Sequence, residues 1–205
     1  MNVLDAMATL RYAELSQLTV KDDSEGVITF LNSGILEIHK RIHLLQEDVV
    51  VTQEAGIDTY LLDGTDLNVV FPSVGELIVV REAYDEDGLA LPLNQRREKD
   101  SLHTPRYNEL RIPNTKTGVR VTLDCQMAPE PLDNELSEII LPPQLTEALF
   151  HYVGYRAHCA LRGSPKEEGY AHYRRFENSV AKVISEDLFN QEDLSCNKFD
   201  ARGFV

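Results

Sequence analysis

The stretch Ile139–Ile184 constrains this chain most. It reads IILPPQLTEALFHYVGYRAHCALRGSPKEEGYAHYRRFENSVAKVI, and its periodicity predicts two antiparallel helices joined by a tight turn. Pro142 and Pro143 suit the opening of the first helix, where a missing N–H costs nothing. Leu145, Leu149, Tyr152 and Val153 recur at helical spacing and mark one face. Gly163 can take the left-handed cap that ends this helix. Ser164, Pro165 and Glu167 then read as N-cap, first helical residue and reciprocal capping partner. Tyr173, Phe176, Val180 and Val183 form the apolar stripe of the second helix. So short a connection makes the two helices antiparallel neighbours.

The rest of the chain must supply what these helices pack on, and it is long enough to do so. Its 205 residues fit one domain, or a core carrying one inserted subdomain. No apolar run approaches the roughly 20 residues that span a bilayer. The opening MNVLDAMATLRYAEL lacks the basic start and unbroken apolar core of a signal peptide. Cys125, Cys159 and Cys196 are odd in number and irregularly spaced, which predicts free thiols in a reducing compartment. The net charge of −14 argues against a nucleic-acid clamp, whose affinity comes from Lys and Arg on phosphates. It permits DNA to pass without being gripped, because an acidic wall repels a polyanion.

Met1 to Leu18 reads as helical, with Leu4, Met7, Leu10 and the pair Leu15/Leu18 as its stripe. The polar run Lys21 to Gly26 reads as a loop. A second helix is expected from Val27 to Leu45, on the seam Leu31, Ile35, Ile38, Ile42 and Leu45. From Val49 to Cys125 the period changes to short β-rich runs: Val49–Thr52, Thr59–Leu62, Leu67–Phe71, Leu77–Tyr84, Leu89–Leu93, Tyr107–Ile112 and Val119–Cys125. Asp85 to Gly88 should close one hairpin, and Asn114 to Gly118 another. The charged segment Asn94 to Pro105 reads as a long loop. After Ile184 the chain is acidic and without period, yet Leu188, Phe189, Leu194, Phe199, Phe204 and Val205 set it apart from an ordinary disordered tail. It reads as an arm that orders on a partner.

The expected fold is therefore α+β. A helical bundle core takes two N-terminal helices from residues 1–48 and the C-terminal helix pair from 129–185. An antiparallel β subdomain, 49–128, is inserted into it, and an extended arm occupies 186–205. Neither helical segment can hide its apolar face alone, so the two must pack on each other.

Catalytic signals are weak. Asp85-Glu86-Asp87-Gly88 lacks the later ligands of a calcium loop and reads as a turn. His39 and His43 are spaced to meet one metal, but they flank the apolar seam and carry no glutamate motif between them. They read as a solvated or half-buried helix face. His158 and Cys159 are adjacent on a helix and so point about 100° apart, too far for a nucleophile and its base. Cys159 reads as a small buried hydrophobe. There is no GxSxG, CxxC or phosphate-cradling loop. No metal, cofactor or catalytic residue is assigned, and the expected role is not enzymatic. Tyr152, Tyr155, Arg156, Tyr170, His172, Tyr173, Arg174 and Arg175 cluster on the helix pair, and Tyr and Arg favour interfaces. Tyr155, Arg156, Arg174 and Arg175 are the expected subunit contacts.

Four stretches carry a family resemblance. They are Tyr12 to Leu18 (YAELSQL), Asn32 to Leu45, the block LPPQLTEALFHYVGYRAH with AHYRRFENSV, and the ending DLFNQEDLSCNKFDARGFV. Together they resemble the head-to-tail connector (adaptor) proteins of tailed bacteriophages. The resemblance implies a virion structural protein in the neck, assembled in the host cytoplasm. It implies a ring of copies, commonly a dodecamer, between the portal protein and a downstream tail or nozzle protein. Genomic DNA would pass through the ring without sequence-specific binding, and no membrane is involved. The C-terminal arm would reach the portal, with Phe199, Arg202, Phe204 and Val205 as the portal-binding anchors.

Two other readings compete. One is an intracellular binding module with a ligand site in the β insertion, which needs a concave apolar pocket with convergent polar groups. The other is an enzyme using Asp63 and Asp66, or Asp85 and Asp87, as acid and base. Acidic pairs so close in sequence are usually turns.

Overall fold

The computed structural model describes residues 1–72, 75–160 and 166–186. The fold is α+β. By internal contacts the chain divides into two compact units, Met1–His43 with Pro131–Val205, and Leu44–Glu130. Among the described residues the first unit holds helices α1 (Val3–Tyr12), α2 (Ser24–Arg41), α3 (Pro143–Ala160) and α4 (Lys166–Ser185). The second holds strands β1 (Gln46–Thr52), β2 (Thr59–Leu61), β3 (Val69–Val70), β4 (Glu76–Tyr84), β5 (His103–Arg106), β6 (Glu109–Arg111) and β7 (Arg120–Ala128).

In the helical unit, α3 and α4 follow the apolar stripes. Leu145, Leu149, Tyr152 and Val153 of α3 are buried, as are Phe176, Val180 and Val183 of α4. Pro143 is the first residue of α3, where its ring satisfies the fixed φ and no N–H is lost. The caps assigned to Gly163 and Ser164 lie outside the described residues. So do Phe199, Arg202, Phe204 and Val205 of the expected arm.

The N-terminal segment differs from expectation. Helix α1 ends at Tyr12 rather than Leu18, and its buried face is Val3, Ala6, Met7 and Leu10. Leu4 is half exposed and lies off the buried face, while its backbone N–H donates to the Glu135 carbonyl. Past Tyr12 the helix widens. The Ala13 N–H reaches the Thr9 and Leu10 carbonyls, and the Leu15 N–H reaches back five residues to Leu10. That closure buries Leu15 and turns Glu14 out of the helical path. The expected polar loop before α2 is also partly helix. The Asp23 side chain accepts from the Gly26 N–H, so Ser24, Glu25 and Gly26 form the first turn. At its other end α2 stops at Arg41. Of the expected seam, Leu31, Ile35, Ile38 and Ile42 are buried in the helical unit, whereas Leu45 packs on the core of the β unit.

Three devices fix α2 within the helical unit. Gly34 lets α2 approach α3, since a Cβ there would lie 2.6 Å from Leu149 Cδ1. Asn32 of α2 pairs both ways with the backbone of Leu132: its amide donates to the Leu132 carbonyl at 3.0 Å, and its oxygen accepts the Leu132 N–H at 2.7 Å. Arg41 reaches α4, donating to Glu177 at 2.7 Å and lying 5.0 Å from the centre of the Phe176 ring. It also donates to Glu37 one turn earlier. Burial works against the Arg41 charge. The bonds to Glu177, Tyr173 and Glu37 outweigh it and hold the guanidinium above its ordinary value.

The β unit contains two antiparallel sheets, ordered β3-β1-β7-β4 and β2-β6-β5. Their inner faces share one apolar core that includes Val49, Val51, Tyr60, Leu110, Leu123 and Met127. In β4 the buried residues are Leu77, Val80 and Ala83 instead of a strict alternation. Two register shifts explain this, each adding one residue against β7.

Several strand expectations are corrected. Leu89–Leu93 makes only isolated bridges, because Pro92 has no N–H to give a ladder. The Asp85–Gly88 turn itself forms, with Asp85 Oδ1 accepting from the N–H groups of Asp87 and Leu89. Part of the expected loop 94–105 is strand: β5 pairs with β6 across a turn at Tyr107-Asn108. The Asn114–Gly118 turn closes no hairpin, since β6 pairs with β2 and β5 while β7 pairs with β1 and β4.

Candidate functional site

A cluster of titratable groups lies in the helical unit, where α3 meets α4 and the turn after α1. His151 sits on the buried face of α3, and His158 follows two turns later on the same face. From α4, His172 lies between them, its ring stacked on His158 at 5.2 Å and 6.0 Å from His151. Glycine makes this possible. A Cβ at Gly154 would lie 2.9 Å from His172 Nδ1, so the ring occupies space that any larger residue would take. A glycine inside a helix costs about 0.5–1 kcal/mol relative to alanine, and here it accommodates the histidine.

Glu14 enters from the widened turn after α1. Its carboxylate is 3.3 Å from His151 Nδ1, and the other nitrogen of that ring, Nε2, is 3.5 Å from Glu147. On the neighbouring ring, His158 Nδ1 is 3.3 Å from Glu168. One ligand atom each from Glu14, His151 and His172 falls within 4.8 Å of the others. The Nδ1 atoms of His151 and His172 are buried and make no hydrogen bond among the described residues. Burial pushes the His172 imidazole below the ordinary histidine range, aided by His158, Arg175 and His151 and opposed by Glu14. A cleft lined by Glu14, Gln17, His158, Glu168, His172 and Arg175 connects the cluster to solvent.

The residues singled out from sequence fall elsewhere in part. Arg156, Arg174 and Arg175 are exposed on the helix pair. Tyr155 is half-buried, in ring contact with Tyr152 and Tyr173 at 5.9 and 4.9 Å, so it packs within the helix pair. Of the pair His39 and His43, His39 is 3 % exposed, more deeply buried than the solvated or half-buried face expected for it. Cys159 is exposed rather than buried, whereas Cys125 is buried in the β unit. Burial there, reinforced by Asp124 and Asp48, pushes the Cys125 thiol up to about 12.

The acidic pairs weighed as acid and base are turn-makers. Asp63 accepts from the Thr65 N–H and hydroxyl, and Asp66 accepts from the Asn68 N–H. A second cleft, in the β unit, is lined by Gln46, Glu47, Asp48, Tyr84 and Asp124. Its lining is acidic and polar rather than the mostly apolar wall of a small-molecule pocket.

Sequence reading placed His151 and His158 on one helix but missed Glu14 and His172 as their partners. Their positions, 14 and 172, bracket the chain, and no local spacing encodes their meeting. Comparison with protein-family models and with curated proteins finds no match for this chain.

Proposed function

We propose that this chain is a structural protein of a tailed-phage virion: a head-to-tail connector that forms a ring between the portal and the tail and lets DNA pass. The observation that supports this reading most is the division of the chain. Its first 43 residues and the segment from Pro131 onward form one helical unit, while the residues between them form a separate β unit. A connector needs that separation of tasks. A rigid helical core can stack side by side into a ring, and a β unit set into one connection can vary to meet the next tail component.

The charge supports the same reading. At −14 the chain repels DNA, as the wall of a passage must if the duplex is to move through it. Arg156, Arg174 and Arg175, exposed on the helix pair, supply basic groups for the acidic surface of the adjacent copy. No helix among the described residues is long and apolar enough to cross a membrane. In this reading the ring is a dodecamer in the virion neck. Residues 186–205 reach the portal, with Phe199, Arg202, Phe204 and Val205 as anchors.

Mixing the full chain with purified portal rings and measuring the bound mass tests the proposal. One copy bound per portal subunit, lost when residues 186–205 are removed, is the expected result. Failure of the full chain to bind portal rings at any ratio would contradict it.

A further inference from the structure

We propose that Glu14, His151 and His172 bind one divalent transition-metal ion of the zinc class, with a remaining coordination position facing the cleft. This is independent of the connector reading. Two imidazoles and one carboxylate are the donor set that such ions take, at about 2.0–2.2 Å from the metal. Around a tetrahedral ion those distances set ligand atoms about 3.3 Å apart. One ligand atom from each of the three groups already lies within 4.8 Å of the others, so the set needs to draw in by only about 1.5 Å to reach that spacing.

Three further observations bear on it. First, two ring nitrogens of the cluster lack hydrogen bonds among the described residues. These are His151 Nδ1 and His172 Nδ1, both buried, although Glu14 stands 3.3 Å from the former. Buried polar atoms left in this way are costly, at about 1–3 kcal/mol each; a metal ion would satisfy them. Second, the outer shell is in place. Glu147 lies 3.5 Å from His151 Nε2, the nitrogen that a ligating histidine turns to a carboxylate to fix its tautomer. Third, the ring of His172 is held in place, seated over Gly154 and stacked on His158. The cleft beside Glu14 and His172 gives the ion a path in.

The ion would tie the turn after α1 to the helix pair α3/α4, which is remote from it in sequence. Its first consequence is stability, because an ion that binds only the folded chain raises the unfolding midpoint by mass action. The open position would admit water or a carboxylate from a neighbouring molecule.

The test is calorimetric titration of the full chain, stripped with chelator, with Zn2+ near pH 7.5, alongside visible spectroscopy with Co2+. One ion per chain is expected, with a rise in melting temperature. Glu14→Gln and His172→Gln should each weaken binding at least tenfold. Glu147→Gln, at an exposed side chain that leaves the fold intact, should weaken it by about tenfold through the outer shell. The Co2+ complex should show visible bands of low coordination number and no intense thiolate band in the near ultraviolet. Absence of Zn2+ binding by the unaltered chain would overturn the proposal. So would unchanged affinity in Glu147→Gln together with a thiolate band, which would place the ion on cysteine.

Discussion

The imidazole of His172 rests over Gly154, so close that a Cβ at 154 would lie 2.9 Å from its Nδ1. This is a close approach between α3 and α4. Gly154→Ala should therefore destabilise the protein, although alanine is the better helix former by about 0.5–1 kcal/mol. Overpacking of this kind costs about 1–3 kcal/mol. Denaturant unfolding with a lower midpoint and an unchanged slope is the expected outcome. A midpoint that rises would mean the ring moves aside freely.

Asn32 carries a separate prediction. Its side-chain amide satisfies both the N–H and the carbonyl of Leu132. Asn32→Ala leaves that part-buried backbone pair without partners, at a cost of about 2 kcal/mol. Asn32→Asp keeps the acceptor and loses the donor, so it should fall between the two. Thermal melts of the three proteins give the order directly.

The Arg41–Glu177 contact predicts a pH dependence. The Tyr173 hydrogen bond, followed by Arg41, holds the Glu177 carboxyl below the ordinary glutamate range. A carboxyl depressed in the folded state stabilises fully above its unfolded pKa of about 4.3. That contribution is lost as pH falls from there through the lower folded value. Melting temperature should thus drop below about pH 4.5, and Glu177→Gln should flatten part of that drop. Identical acid profiles for the two proteins would contradict the pairing.

How much of this was legible in sequence depends on whether the signal is local. The faces of α3 and α4 were, because Leu145, Leu149, Phe176, Val180 and Val183 repeat within one element. Strand β5 was not. Its sequence, HTPR, follows a charge run and contains Pro105, and it is a strand because β6 offers it an edge. The start of α2 was hidden by the polar run Lys21 to Gly26, which reads as loop until Asp23 is seen to cap it. The histidine cluster was half visible. His151 and His158 share a helix face, but Glu14 arrives through the widened turn at Ala13, which no residue pattern announces.

The two described cysteines should react differently. Cys159 is exposed, whereas Cys125 is buried with its thiol pushed up to about 12. Only the thiolate reacts with iodoacetamide. In the native protein at pH 8, Cys159 should be labelled and Cys125 should stay unlabelled until denaturant is added. Peptide mass spectrometry resolves the two sites. Rapid native labelling of Cys125 would mean that the core of the β unit opens.

The connector reading is tested most directly by quantitative mass spectrometry of purified particles, with this chain's abundance set against that of the portal. The account predicts a copy number near that of the portal, at a position seen at the same vertex on imaging. Absence of the chain from intact, DNA-filled particles would contradict it.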